Sequence, residues 1–599
     1  MYYPYNMASL ITKWKKGNPY VYWVRSARVN GKPRIVEQVY LGPRARVMQE
    51  IYEHFTADKK EQSRKGLPCL LPELKRVSVK EFGASALFYS LACKLGLIEL
   101  IDAVVPEPPP TKRTSLSVGA YLVIASINRA IYPTSKRAMS EWYHSSMLNR
   151  KIIATKEELS SQRFWDHMDT VESTHIDLIQ KELLKRTRNL FAAESLSALD
   201  ESLLIYDTTN YYTFISTFNS RCCLAQRGRN KQKRADLRQI SLALVCDEQN
   251  GFPLYHTCYE GNLTDLMAFR PLFASISRQF TIDSPPIDKN VPPTIILDKG
   301  NVSKDNLKAI LSSSFSFIVA IPKNWVKNLY NIPLSDFKPL SISETKRVKV
   351  YSAENTSFST KLGIKGKVLI AFSPTFYRKQ VRTLDLLQKK AEEKLLNLAA
   401  SVKKKKRTEK SVKTEIKNLL RHDCLKDFCQ YNLTTEKGKV VSLQWNWDQK
   451  KKVQIKHQNY GKTVIYTNRR DIGDARIVNA YRSQAKLEQV FRISKSRRPG
   501  LWWPAYHWTD SKLRVHALTC FLALVLIKIV LMRLEKDSIS IGVENLIERL
   551  RQIQEAKIIY ANGSTQQVIV ERTEEQEELF LALKLDHIAK QMGNTLLNP

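Results

Sequence analysis

Two short apolar runs in this chain each stop at an aspartate, and the order of the segments around them restricts the possible folds more than any other feature. SLLIY ends at Asp207, and TIIL ends at Asp298. Brief runs rich in Leu and Ile, bounded by polar residues, read as buried strands. Between them, QISLALVCD and FPLYHTCYE flank Asn250-Gly251, a pair favoured in two-residue hairpin turns, and Leu263 to Phe280 has helical spacing. After Asp298, Ser303 caps a helix running through Leu311, and FSFIVAI supplies another strand. The predicted order is three strands, a helix, a strand, a helix and a strand. This is an α/β arrangement with a mixed sheet flanked by helices.

An acid at the carboxyl end of a strand points into the crevice outside the sheet, where α/β folds bind their ligands. Taken singly, each aspartate fits a turn or a cap equally well. As a pair in this order they are candidate metal ligands. Two divalent cations about 4 Å apart need several hard oxygen ligands, so a third acid is required. The segment IVNAYRSQAKLEQVFRISK offers one. Read as one helix at about 100° per residue, it brings Tyr481, Gln484, Glu488 and Lys495 within roughly 60° of one another, beside an apolar stripe of Ala480, Leu487 and Phe491. By spacing alone, an ordinary amphipathic surface helix fits as well.

Charge points to the partner. Ninety-five Lys and Arg against 58 Asp and Glu leave a formal charge of +37, more than solubility requires. A polyanion is expected, and nucleic acid is preferred over an acidic membrane surface because no basic amphipathic anchor or lipidation site is evident. Arg227, Arg229, Lys231, Lys233 and Arg234 cluster between the first two strands, where they read either as DNA contacts or as a solvated loop. Trp325, Trp445 and Trp447 read as core packing or as platforms for an extruded base. The start of the chain lacks a secretory pattern, and Ala517 to Met532, interrupted by Lys528, is shorter than the roughly 20 residues that span a bilayer. A buried core helix, no membrane association and a cytoplasmic, nucleoid-associated location are expected. Nine cysteines without a C-x-x-C pair read as reduced thiols, and His422, Cys424 and Cys429 lack the second pair that a zinc site needs.

The expected organisation has six parts. Residues 1–78 form a small β unit built on a hairpin from Tyr20 to Leu41 around Asn30-Gly31. Residues 79–195 are helical, with Pro106 to Pro110 as a linker. There, Ser160-Ser161 caps a helix QRFWDHMDTV, closely preceded by another polar-capped helix, and the pair is either ordinary bundle structure or a helix-turn-helix DNA reader. Residues 196–321 carry both aspartates. Residues 322–471 are an insertion with strands (LGIKGKVLIAF, KTVIYTN) around a lysine-rich helical stretch from Tyr377 to about Arg421, whose run Lys403 to Lys406 is either a solvated face or a DNA contact. Residues 472–535 return to the catalytic part, and 536–599 form a helical tail.

The element order is that of a ribonuclease-H-like core interrupted before its last helix. The interrupted helix resembles the Tyr-x2-Arg-x3-Glu-x6-Lys signature of bacterial insertion-sequence DDE transposases, here Tyr481, Gln484, Glu488 and Lys495. YDTTNYY, GFPLYHTCYEGN, LDKGNVSKDN and YHWTDSKLRVHALTCFLALVL agree in order, so the resemblance runs from about Gly83 to Met532. It implies that Asp207, Asp298 and Glu488 bind two divalent ions, Mg²⁺ or Mn²⁺. It also implies that Tyr481, Gln484, Arg492 and Lys495 lie along double-stranded DNA, both terminal inverted repeats and target, with Arg229, Lys231 and Arg234 of the basic cluster as further candidate contacts. A homodimer holding two DNA ends is implied as well. One departure stands out: Gln484 occupies the Arg position, and an amide has neither the charge nor the bidentate grip of a guanidinium. Two rivals remain. One is an inactive or domesticated DNA-binding protein; the other is a nuclease of the same fold that joins nothing.

Overall fold

The computed structural model describes the chain except for residues 1–6, 16–17, 30–31, 50–73, 230–233, 235, 282–291, 344–345, 355–362, 405–406, 422–424, 497–499 and 597–599. It divides into two units, one of Met1–Ser78 with Lys557–Gln566, the other of Val79–Ala556 with Gln567–Pro599.

The first unit contains an antiparallel meander of β1 (Met7–Lys15), β2 (Asn18–Val29) and β3 (Lys32–Pro43). Val29 pairs with Lys32 across the expected turn, whose residues Asn30 and Gly31 lie outside the described residues. The hairpin is therefore as expected, and β1 adds a third strand to it. Val21, Tyr22 and Val24 on β2 are buried.

In the second unit, helices α1 (Gly83–Lys94), α2 (Leu97–Val104), α3 (Val118–Ile131), α4 (Ser161–Met168) and α5 (Ser173–Ala193) precede the large sheet. No helix precedes α4 closely: residues 151–160 are turns and irregular chain, and Ile153 there is solvent-exposed. Phe164 and Met168 of α4 point into the core. The helix-turn-helix alternative therefore lacks its first helix, and the bundle reading describes what is there.

The sheet is built from β4 (Leu203–Thr213), β5 (Arg238–Asp247), β6 (Pro253–Glu260), β7 (Thr294–Leu297), β8 (Ser316–Ala320), β9 (Lys338–Ser343), β10 (Lys346–Glu354), β11 (Lys367–Phe372) and β14 (Lys462–Thr467), with Gln226–Arg227 as a short tenth strand. Its middle runs β6-β5-β4-β7-β8, or third, second, first, fourth and fifth in chain order. β4, β7 and β8 are parallel; β5 is antiparallel to β4, and β6 to β5. The parallel strands need crossovers, and these are α6 (Asp265–Thr281) and α7 (Lys304–Leu311). Ser303 caps α7 as expected, its Oγ accepting the amide of Asn306 at 3.0 Å. The β5–β6 turn places Gly251 at φ +61°, a conformation that favours glycine.

The stretch 322–471 is organised differently from one insertion. Beyond β8 the same sheet continues through β14, β11, β10 and β9, all antiparallel. Only the part between β11 and β14 has a core of its own, built by α8 (Pro374–Lys404), α9 (Glu409–Leu419), β12 (Cys429–Glu436), β13 (Lys439–Trp447) and α10 (Gln449–Asn459). Leu384, Ala391, Leu395, Leu398 and Val402 line the buried stripe of α8, which accounts for the helical periodicity read there.

The chain then continues through α11 (Asp474–Arg482), α12 (Gln484–Lys495) and α13 (Asp510–Lys536). α13 is the one described helix long and apolar enough to cross a membrane, and 89% of its most apolar stretch is buried inside the protein. The last segment is not purely helical. The strands Gln554–Tyr560 and Thr565–Ile569 interrupt it around an Asn562-Gly563 turn, with Gly563 at φ +82°.

Candidate active site at the ends of two parallel strands

Parallel pairing sets the first two acids side by side. Tyr206 on β4 is the register partner of Leu297 on β7, and the next residues are Asp207 and Asp298. Adjacent strands lie about 4.8 Å apart, and both aspartates are half-buried. β7 ends at this point, as the sequence predicts, and Asp298 opens a short turn over Lys299–Asn301. β4 does not end there. It continues to Thr213 because Thr208–Thr213 keeps pairing with β5, Asp207 opposite Leu244 and Thr213 opposite Arg238. Its Thr and Tyr side chains suit a pleated, half-buried surface. Asp207 is thus a half-buried mid-strand residue that lies just past the end of its shorter neighbour.

The third acid approaches from a broken helix. Ser483 separates α11 from α12, and its backbone (φ −64°, ψ −11°) lets Lys486 N–H bond back three residues to the Ser483 carbonyl at 2.8 Å. The single 100° wheel is therefore two, with Tyr481 on the first and Glu488 and Lys495 on the second. Tyr481 Oη donates to Asp298 Oδ1 at 3.2 Å. Burial first, then the Asp298 charge and the bond to it, and more weakly Glu488, push the Tyr481 phenol far above its usual range. Asp298 and Glu488 thus both act on the hydroxyl of one half-buried tyrosine. Glu488 itself is exposed, and among the described residues no three His, Cys, Asp or Glu stand close enough together to hold a metal ion. Two carboxylates fixed on neighbouring strands are donors of the kind a hard divalent cation takes.

The far end of α12 is tied to β4 by a residue that sequence reasoning missed. Tyr211 is buried, its hydroxyl 2.5 Å from Ser494 Oγ, its ring 5.2 Å below the Lys495 ammonium and stacked on Trp502 at 4.2 Å. Tyr211 lies two strand periods after Asp207, on the same face. That alternation was readable in YDTTNYY once the strand was continued past its acid.

The remaining predicted contacts divide. Arg492 and Arg229 are exposed. Arg234 is engaged by Asp236 at 2.8 and 2.9 Å. Lys231 and Lys233 lie outside the described residues, as do His422 and Cys424. Gln484 opens α12, and its Nε2 is buried without a hydrogen-bond partner. Trp445 and Trp447 both donate their indole N–H to Glu392 Oε2 and pack on the core between β11 and β14, so they serve that body's structure. Trp325 is partly buried against the main core.

A mixed α/β sheet that carries two aspartates at neighbouring positions of parallel strands defines an α/β protein with a paired-carboxylate candidate site. The family follows from the sequence itself: residues 200–526 match the model of the transposase DDE domain, and the chain belongs to that family. Its members generally use divalent metal ions. Among solved structures, the chain is similar to the one described as the cryo-EM structure of piggyBac transposase synaptic complex with hairpin DNA, at 8% identity over 86% of this chain and 85% of that one, with a TM-score of 0.33. At that distance the likeness carries no argument. No curated protein matches the sequence.

Proposed function

We propose that this chain is the transposase of a bacterial insertion sequence, cutting DNA at the ends of its element and joining the freed 3′ ends to target DNA. The observation that carries the reading is the register that sets Asp207 beside Asp298 inside a transposase DDE domain. The strand order third-second-first-fourth-fifth supports assigning the middle of the sheet to the ribonuclease-H-like class.

In this reading Asp207, Asp298 and Glu488 hold two divalent cations, Mg²⁺ or Mn²⁺. Bound there, the cations supply water activation and stabilisation of the leaving oxygen. The chain's own groups do the positioning. Tyr481 orients Asp298 by donating to it, Tyr211 fixes α12 against β4, and Lys495 offers a charge to the DNA backbone at the end of the same helix. Gln484 stands where the family signature has Arg, so the grip on the strand end rests on Lys495, Arg492 and the exposed basic loop after β4. Two copies, each holding an element end, form the active assembly.

The test is cleavage of a supercoiled plasmid carrying the element's own ends, with Mg²⁺ or Mn²⁺, for the native protein and Glu488→Gln. End-specific cutting by the native protein, lost in the variant while DNA binding persists, is the expected result. Binding without cutting by both under either metal would leave a DNA-binding protein in place of the enzyme. Cutting without joined products would leave a nuclease.

A further inference from the structure

Away from the aspartates, the second unit buries a group of basic side chains that no carboxylate faces among the described residues. Arg129, the last basic residue of α3, is 1% exposed; Lys136, just beyond that helix, is 6% exposed; His507 and His516 are 5% and 0% exposed. The His507 and His516 rings are 4.8 Å apart, and Trp502 lies 4.9 Å from His516. Arg129 satisfies part of its guanidinium on the carbonyls of Thr134 and Pro504, and His516 Nε2–H donates to the Trp502 carbonyl at 2.9 Å. Among the described residues the Lys136 ammonium has only the Phe164 ring, 5.1 Å away.

Five nitrogens here are buried without a hydrogen-bond partner: Arg129 Nε, Lys136 Nζ, His507 Nδ1, His516 Nδ1 and Trp502 Nε1. Buried polar atoms are nearly always paired, and a buried charge is paired or neutralised. No carboxylate bears on Arg129, Lys136, His507 or His516 among the described residues. Lys512, whose charge reaches His507, is itself engaged by Asp169 at 2.7 Å. Burial, followed by mutual repulsion, drives Lys136 and both imidazoles well below their ordinary values. Cys520, whose thiol donates to the Leu501 carbonyl at 3.0 Å, is the one acidic group facing the cluster, and burial first of all raises it to about 11. It is neutral at physiological pH.

We propose that Arg129, Lys136, His507 and His516 form a buried binding site for a tetrahedral phosphate group. Such a ligand supplies several acceptor oxygens and the missing negative charge at once. It also draws protons onto Lys136 and the histidines, so binding tightens as pH falls. The phosphate comes either from solution or from a DNA backbone. The inference does not rest on the transposition reading.

The test is calorimetry and thermal melting of the full chain with inorganic phosphate against chloride at matched ionic strength, for the native protein and Lys136→Met. Methionine keeps the contact over Phe164 and removes the charge. Saturable phosphate binding and a raised Tm are expected for the native chain, with affinity weakened about tenfold or more in the variant, as befits loss of a charged hydrogen bond. Binding of a random 20-base-pair duplex across salt concentrations separates the two sources. A salt slope lower by about one in Lys136→Met places a DNA phosphate in the site, and an unchanged slope with saturable phosphate binding by the native chain that the variant weakens assigns free phosphate. No phosphate binding by the native protein together with an unchanged slope overturns the proposal, and the native measurement stands even if the variant fails to fold.

Discussion

Tyr481 reaches from the last turn of α11 to Asp298, the residue that follows β7, and donates a hydrogen bond to its Oδ1 across 3.2 Å. The phenol is half-buried and its ionisation strongly suppressed, so it can only donate to that oxygen. A neutral donor bonded to one oxygen restrains the carboxylate. Tyr481→Phe removes this constraint and keeps the ring packing. DNA cleavage is expected to fall about tenfold, the worth of one hydrogen bond to a charged group, with a shifted Mg²⁺ dependence and a melting temperature within a few degrees of native. Metal titration of the cleavage rate alongside melting curves checks both halves.

Tyr211 joins β4 to α12 by its hydroxyl, its ring and its stacking on Trp502. Tyr211→Phe deletes only the bond to Ser494 and should cost about 1 kcal/mol of stability. Tyr211→Leu empties part of a buried stack, with an expected loss of about 3 kcal/mol. If the tie positions Glu488, cleavage falls in both variants while duplex binding changes little, and Tyr211→Phe restores most of what Tyr211→Leu loses. Denaturant unfolding and single-turnover cleavage distinguish the two effects.

Asp247 holds the β5–β6 turn from inside, accepting the amides of Phe252 at 2.5 Å and Asn250 at 3.0 Å. Burial outweighs these bonds and raises its pKa from 3.8 to about 6. An acid raised in the folded state contributes stability that is fully present below pH 4 and lost as pH rises through 6. The stability gap between the native protein and Asp247→Ala should therefore be widest near pH 4 and narrow towards pH 7, as measured by urea unfolding at each pH. A gap that grows with pH would reverse the assignment.

Phe372, the last residue of β11, is the register partner of Lys462, the first of β14. The body between them has its own core, so replacing residues 374–460 with a two-residue Asn-Gly turn should leave the sheet folded. The expected product is a monodisperse, cooperatively melting protein with weaker DNA binding, because the lysine-rich α8 is gone. Gel filtration, circular dichroism and a binding titration test this, and an aggregated product would show that the body is needed for folding.

Local signals in the sequence carried over well, and non-local ones did not. The Asn250-Gly251 turn, the Ser303 cap, the buried α13 and the stop at Asp298 each depend on a few neighbouring residues, and each is present. The extension of β4 to Thr213, by contrast, is decided by pairing with β5 some thirty residues later. The continuation of the sheet into β14, β11, β10 and β9 is decided by partners further off still. Such pairings leave no periodicity in either strand alone. The break at Ser483 was invisible because its backbone stays near helical values and the apolar stripe runs through it. The two aspartates were legible as strand-terminal acids, but their adjacency belongs to the register. Tyr211 was hidden by ending β4 too soon.

Asp298 and Glu488 are separated by 190 positions along the chain. A disordered loop of that length would have to be closed before the acids could meet, and proteins dominated by such distant contacts fold slowly. Here most of the interval is occupied by structure that assembles from its own neighbours, and β11 and β14 return the chain to the sheet almost where it left. For the folding chain, the third acid is therefore only a few strands away from the second, and the long detour costs little of the time or entropy that its length suggests.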